Sequence, residues 1–164
     1  RVDYGLPNRL HLGIAALNAD LGKLLLPNEL VNKPGPLDEI EHQMMRCHPL
    51  LGIFLLKEVA FDVPRVLAYI LGHHRLLPDG YPPLRNNIFF ESRIIAIADS
   101  YDAMRSPRVW RQPLGQDEAL AELEKYHKAG AFDPPLWVCA RHTFLEFNHT
   151  LIKNRNHQSV DLIA

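Results

Sequence analysis

Cysteine is nearly absent from this chain. Two residues, Cys47 and Cys139, in a length of 164 cannot build a disulfide framework, so a reducing cytoplasmic setting is expected. A surplus of charge is missing too: 18 Lys and Arg against 19 Asp and Glu leave a net charge of −1. No global field therefore draws the chain to a DNA or RNA polymer or to an anionic membrane. No apolar run approaches the roughly 20 residues of a membrane-spanning helix, and Arg1, Val2, Asp3 and Tyr4 do not open a signal peptide. Period-two alternation is absent, which argues against a sheet, and no internal repeat is found. A chain beginning at Arg1 rather than Met reads as a piece of something longer.

What is present is a soluble, globular composition, 47% apolar and 23% charged, long enough for one domain with its own core. Nine histidines against two cysteines make any metal site one of imidazole and carboxylate. That donor set suits iron, manganese, zinc or nickel better than a thiolate cluster would.

The apolar spacing is helical throughout. Leu10, Ile14, Leu17 and Leu21 predict an amphipathic helix over 9–20, ended by Gly22 and Pro27. A short helix over 28–31 and a Pro/Gly-rich turn follow. Asp38 is placed to cap a helix from Glu39 that bends at His48-Pro49, and 50–59 forms its apolar second leg. Pro64 starts a helix over 64–75. The segment 76–90 reads as a loop, 91–105 as a helix with a mostly buried face (Ile94, Ile95, Ile97, Ala98, Tyr101), and 116–128 as a surface helix ended by Gly130. A last helix spans 134–147, before a polar tail at 148–164. The expected fold class is all-α, a helical bundle.

Several polar residues stand out against this pattern, each with a plainer alternative. Asp20 and Lys23 are three apart, so the carboxylate is available to metals and the ammonium to a phosphate oxygen. An ordinary surface ion pair fits the spacing equally and is the commoner case. His48 precedes Pro49 at a helix terminus, where a histidine usually meets carbonyls. His73 and His74 differ by about 100° on a helix, so they suit two separate partners better than one chelating face. Asp99 interrupts the apolar run IIAIADSYDAM, and a buried acid needs a partner, a metal among them. Arg108 and Arg111 flank Val109-Trp110 and offer forked donors to phosphate, with Trp110 or Tyr81 as an aromatic face. A basic loop with an aromatic anchor fits them equally. His11, His42, His127, His142, His149 and His157 share no register and are read as surface or packing residues.

Taken in order, the blocks DLGK (20–23), LPNELVNKPGPL (26–37), MRCHPLLG (45–52), HH (73–74), DGYP (79–82), IIAIADSYDAMRS (94–106), PRVWRQPL (107–114) and AFDPPL (131–136) resemble the HD-GYP family. This is the cyclic-di-GMP phosphodiesterase branch of the HD metal hydrolases, and the resemblance covers about residues 15–138. It implies an HD-type helical bundle around two or three iron-like metals, hydrolysing cyclic-di-GMP to pGpG or GMP. Carried onto this sequence, it implies metal ligands at Asp20, His48, His73, His74 and Asp99, with Asp20 and Lys23 as the catalytic pair. Lys23, Tyr81, Pro82, Arg108 and Arg111 become the substrate contacts.

Three departures accompany it. The histidine of the family's HD pair falls on Ala19, the glutamate after HH is Arg75, and helices that normally precede the aligned part are missing. One strong site for a divalent metal, iron or manganese, is therefore expected, with a second doubtful. A two-metal clamp reduced in this way should turn over weakly or not at all. The alternative is a non-catalytic module that binds cyclic-di-GMP or a partner protein such as a diguanylate cyclase (GGDEF) domain. A homodimer is also compatible with this reading.

Overall fold

The computed structural model describes residues 6–59, 61–76, 80–83, 88–108 and 111–158, with side chains between residues 8 and 146 of those ranges. The described residues are all-α, apart from an isolated antiparallel bridge between Arg108 and Arg111. Helix α1 spans Leu6–Asn18 and is followed by a 3-10 turn, Leu21–Leu25. Then come α2 (Asn28–Val31), α3 (Glu39–Met45), α4 (His48–Glu58) and α5 (Pro64–Gly72). Helices α6 (Phe90–Arg105), α7 (Gln116–Lys128) and α8 (Pro134–Gln158) complete the order. No helix among the described residues is long and apolar enough to cross a membrane.

Local chemistry explains most of the boundaries. Asp38 accepts from the Glu41 amide at 2.9 Å while Glu41 accepts from the Asp38 amide at 2.7 Å, a reciprocal cap that starts α3. Prolines at the first turns of α4 and α5 fill positions whose amides have no helical partner. Gly130, at φ 86, lets the chain leave α7 in a left-handed turn.

Four expectations shift. The break expected at His48-Pro49 lies one step earlier, at Arg46 and Cys47, so His48 opens α4. Helix α5 stops at Gly72, before the histidine pair. Ala98, expected on the buried face of α6, is exposed. Helix α8 continues past Phe147 to Gln158, into the stretch read as a tail.

Two apolar clusters share α6. Ala15, Ala19, Leu56, Val66, Leu67, Tyr69, Ile70 and Ile95 join α1, α4 and α5 to one side of it. Ile97, Leu120, Leu123, Phe132, Leu136 and Trp137 join α7 and α8 to the other. Their burial supplies the main cohesion, at about 25 cal/mol for each Å2 of apolar surface removed from water. Helix α4 rests directly on the 3-10 turn. A side chain on Gly22 would overlap the His48 carbonyl oxygen and the Gly52 amide nitrogen, so only glycine permits this crossing. A second close approach joins α5 to α6, where a Cβ on Gly72 would come within 2.7 Å of Ser92 Oγ. The entry to the 3-10 turn, the start of α4 and the end of α5 come together at one point.

Candidate metal centre

That point holds Asp20, His48, His73 and His74, whose potential ligand atoms all lie within 4.8 Å of one another. Asp20 comes from the entry to the 3-10 turn and His48 from the first turn of α4. His73 caps the C-terminus of α5 and His74 follows it. Ending the helix at Gly72 lets neighbouring histidines share a cluster: their ring centroids are 4.0 Å apart. The expectation that they serve separate partners assumed a helix running on through both.

Each of two rings is fixed from behind. His48 Nδ1 donates to Met45 O at 2.8 Å, and His73 Nδ1 donates to Ile70 O at 2.5 Å. A carbonyl accepts only from a protonated nitrogen, so both Nε2 atoms carry bare lone pairs. Those atoms stand 3.4 Å apart. With neither protonated, their approach is no hydrogen bond but a pair of facing lone pairs. Two imidazoles bound to one cation by roughly 2.1 Å bonds have a spacing of this order.

The other donors agree. Asp20 Oδ1 lies 3.3 Å from His48 Nε2, yet Asp20 Oδ1 and His74 Nε2 are buried with no hydrogen-bond partner. Buried polar atoms without partners are costly, and a cation would satisfy both at once. The donor set of three imidazoles and a carboxylate fits a divalent metal.

The electrostatics keep the site ready. Burial pushes His48 down to about 4, His74 down to about 2, and His73 below the ordinary imidazole range. All three rings are neutral ligands at pH 7. Burial also acts to raise Asp20, but the attraction of Lys23, 2.6 Å away, with help from His48 and His73, outweighs it and leaves the carboxyl below its usual value. Burial, then the charge of Asp20, raises Asp99.

Asp99 stands beside this cluster rather than within its 4.8 Å circle. It lines two cavities that flank the centre. One, of about 320 Å3, also meets Asp20, Ala19, Leu17 and Asp102. Ala19, 6% exposed, contributes only a methyl there. The other cavity, of about 330 Å3, brings Asp99 together with Lys23, His74, Arg108 and Arg111. This second cavity is the cationic side.

The two arginines are differently occupied. Arg111 donates to the carbonyls of Ala103 at 2.9 Å and of Met104 at 3.3 Å, tying off the C-terminus of α6. The backbone bridge sets Arg108 opposite it, with amide-carbonyl distances of 3.0 and 3.1 Å. Val109 and Trp110, between them, lie outside the described residues, as does Asp79 of the DGYP turn. Tyr81 stacks on His74 at 4.6 Å between ring centroids, and the guanidinium of Arg46 lies over the Tyr81 ring, 5.7 Å from its centroid. Pro82 is buried and faces a different cavity, with Arg46, Cys47 and Leu50.

Sequence reasoning missed Arg46, whose only signal was its place two residues before His48. It also missed the carbonyls of Met45 and Ile70, which no side-chain pattern reveals. Of the histidines set aside, His127 is indeed a packing residue, bonded through Nδ1 to Phe132 O at 2.8 Å. His142 sits on the surface, 3.3 Å from Glu146; the side chains of His149 and His157 lie outside the described residues.

Comparison with known proteins agrees with the geometry. The family model described as "HD domain" matches residues 3–136. A cyclic di-GMP phosphodiesterase response regulator of Xanthomonas campestris is 36% identical over 126 residues, 74% of this chain and 33% of that protein. A 3'3'-cGAMP-specific phosphodiesterase of Vibrio cholerae is 36% identical over 138 residues, 82% of this chain and 29% of that one. A cyclic di-GMP phosphodiesterase of Thermotoga maritima is 35% identical over 109 residues, 64% of this chain and 30% of its own length. The chain thus spans about a third of these relatives. With an all-α bundle, a histidine–aspartate cluster and a matching family model, the chain belongs to the HD domain family, in its HD-GYP type.

Proposed function

We propose that the chain is a metal-dependent, cyclic-di-GMP phosphodiesterase-like signalling domain with one well-formed metal site and attenuated turnover. The observation that carries this reading is the pair of bare Nε2 atoms of His48 and His73, 3.4 Å apart beside the unpartnered oxygen of Asp20. Asp20, His48, His73 and His74 would hold a divalent cation, iron or manganese as the HD-GYP resemblance implies. Such a cation supplies an activated water and charge for a phosphoryl oxygen. Lys23 and Arg108 offer the positive charge that would bind the phosphodiester, and Asp20 keeps Lys23 oriented through their 2.6 Å ion pair.

Attenuation follows from the other flank. Asp99 and Asp20 face a cavity to which Ala19 adds no nitrogen, so a second cation would be held there by carboxylates alone. A site that clamps both attacking and leaving oxygens loses much of its advantage when one cation is weakly held. Asp99 is a ligand of that weaker side in this reading.

A second reading keeps the binding and drops the chemistry: a module that captures cyclic-di-GMP or docks a GGDEF domain through the Tyr81–Pro82 face. Ala19 and Arg75 favour it. Metal analysis combined with a cyclic-di-GMP hydrolysis assay separates the two. Slow pGpG formation that depends on added metal supports the attenuated enzyme, and none at full occupancy supports the binding module. Rapid turnover at full occupancy contradicts both.

A further inference from the structure

The three imidazoles of the centre are not held alike. His48 and His73 each donate Nδ1 to a backbone carbonyl, at 2.8 and 2.5 Å. Among the described residues no carbonyl takes that part for His74, whose buried Nε2 has no hydrogen-bond partner. A ligand ring left free to turn must give up that freedom on binding a metal, and affinity falls accordingly. The His74 ring is fixed in another way.

Tyr81 supplies a flat contact. Its ring stacks on that of His74 at 4.6 Å between centroids, inclined by 24°. The two residues are also tied through the backbone, the Tyr81 amide donating to His74 O at 3.3 Å. Arg46, at the C-terminus of α3, is exposed and sets its guanidinium over the same phenol ring, 5.7 Å from the centroid. A cation–π contact thus holds the ring that His74 leans on.

The side of the centre on which these contacts lie decides their role. Tyr81 and Arg46 line a cavity of about 240 Å3 together with His73, His74, Ser100 and Phe132. The cationic cavity of Lys23, Asp99 and Arg108 has His74 in its lining but, among the described residues, neither Tyr81 nor Arg46. We infer that Arg46 is a positioning residue of the metal centre: it holds Tyr81 in place, and Tyr81 holds the His74 ring in its ligand orientation. The inference rests on the metal-centre reading given above. It gives Tyr81 the support of a ligand in place of the direct substrate contact expected from the resemblance.

The test is titration of the metal-free full chain with cobalt(II), whose visible absorption reports the geometry of its ligands. Tyr81→Leu keeps an apolar side chain but no flat face. It should alter the absorption bands and weaken cobalt binding by about 10–100-fold, the usual cost of losing a group that orients a ligand. Tyr81→Phe keeps the face and should match wild type in affinity and spectrum. Arg46→Met should leave the denaturation midpoint unchanged yet weaken cobalt binding by about two- to fivefold, the worth of an exposed cation–π contact. Arg46→Lys, which keeps the cation, should recover part of that loss. Cobalt affinity unchanged in Tyr81→Leu or in Arg46→Met would overturn the positioning role, as would a Tyr81→Phe variant impaired as much as Tyr81→Leu. A wild-type chain that takes up no cobalt would overturn the metal centre itself, and the inference with it.

Discussion

Gly22 and Gly52 cross where the 3-10 turn meets α4, close enough that a Cβ added to Gly22 would strike the His48 carbonyl and the Gly52 amide. Asp20 and Lys23 flank Gly22, and His48 is one helical turn before Gly52. The crossing thus sets the distance between the acid and the imidazole that share the metal centre. Gly22→Ala should destabilise the chain by at least about 3 kcal/mol, the upper part of the range for overpacking. Urea denaturation reads this, and metal content should fall with it. Gly13→Ala, where nothing lies within 4 Å of the added carbon, is the control and should be neutral or slightly stabilising through helix propensity.

The arginine pair should separate by function. Arg111 is engaged with carbonyls at the end of α6, so Arg111→Ala should lose about 1–3 kcal/mol of stability. Arg108 lines the cationic cavity beside Lys23 and Asp99, and Arg108→Ala should leave the denaturation midpoint nearly unchanged. Its cost should appear in the affinity for cyclic-di-GMP and for inorganic phosphate. Chemical denaturation and calorimetric titration of both variants check the split. The opposite assignment of losses would show the two roles exchanged.

The metal-free chain should lose stability on acidification. Burial lowers His48 to about 4 and His74 to about 2, below the unfolded imidazole value near 6.5. Between those values the unfolded chain binds protons that the folded chain does not, so unfolding is favoured as pH falls. The contribution is fully present above about 6.5 and is progressively lost below it. Denaturant midpoints of EDTA-treated protein from pH 7.5 to 4.5 should decline, and His74→Gln should flatten the decline. A midpoint that is constant over this window would contradict buried neutral rings.

Much of the bundle could be read from spacing, because α5 and α7 carry the apolar periodicity that burial on one face demands. The cap at Asp38 was equally legible, since a carboxylate three residues before Glu41 is a local device. The site was legible in its members but not in its arrangement. Neighbouring imidazoles at 73 and 74 diverge on an ideal helix, and only the stop at Gly72, pressed against Ser92, lets them converge. Arg111 had the chemistry of a phosphate contact, but its proximity to the Ala103 and Met104 carbonyls is a tertiary fact. Nor does any sequence pattern announce the backbone oxygens that orient His48 and His73.

Restoring a nitrogen at position 19 tests the asymmetry between the two flanks. Ala19→His would bring an imidazole to the cavity shared by Asp20 and Asp99. Metal stoichiometry should rise towards a second equivalent, and pGpG formation should increase with it, since a second cation completes the clamp on the attacking and leaving oxygens. Denaturation monitors any cost of replacing a buried core methyl. A folded variant with neither gain would show that this position was not the limiting defect.

The central claim is that His48, His73, His74 and Asp20 form one metal centre. The most direct measurement is equilibrium metal content, by mass spectrometry after anaerobic loading with iron(II) or manganese(II) and dialysis, of wild type and of His48→Gln and His73→Gln. The account predicts a tightly held ion on each wild-type chain and its loss from both folded variants. Wild-type chains that retain no metal, or variants that retain as much as wild type, would contradict it.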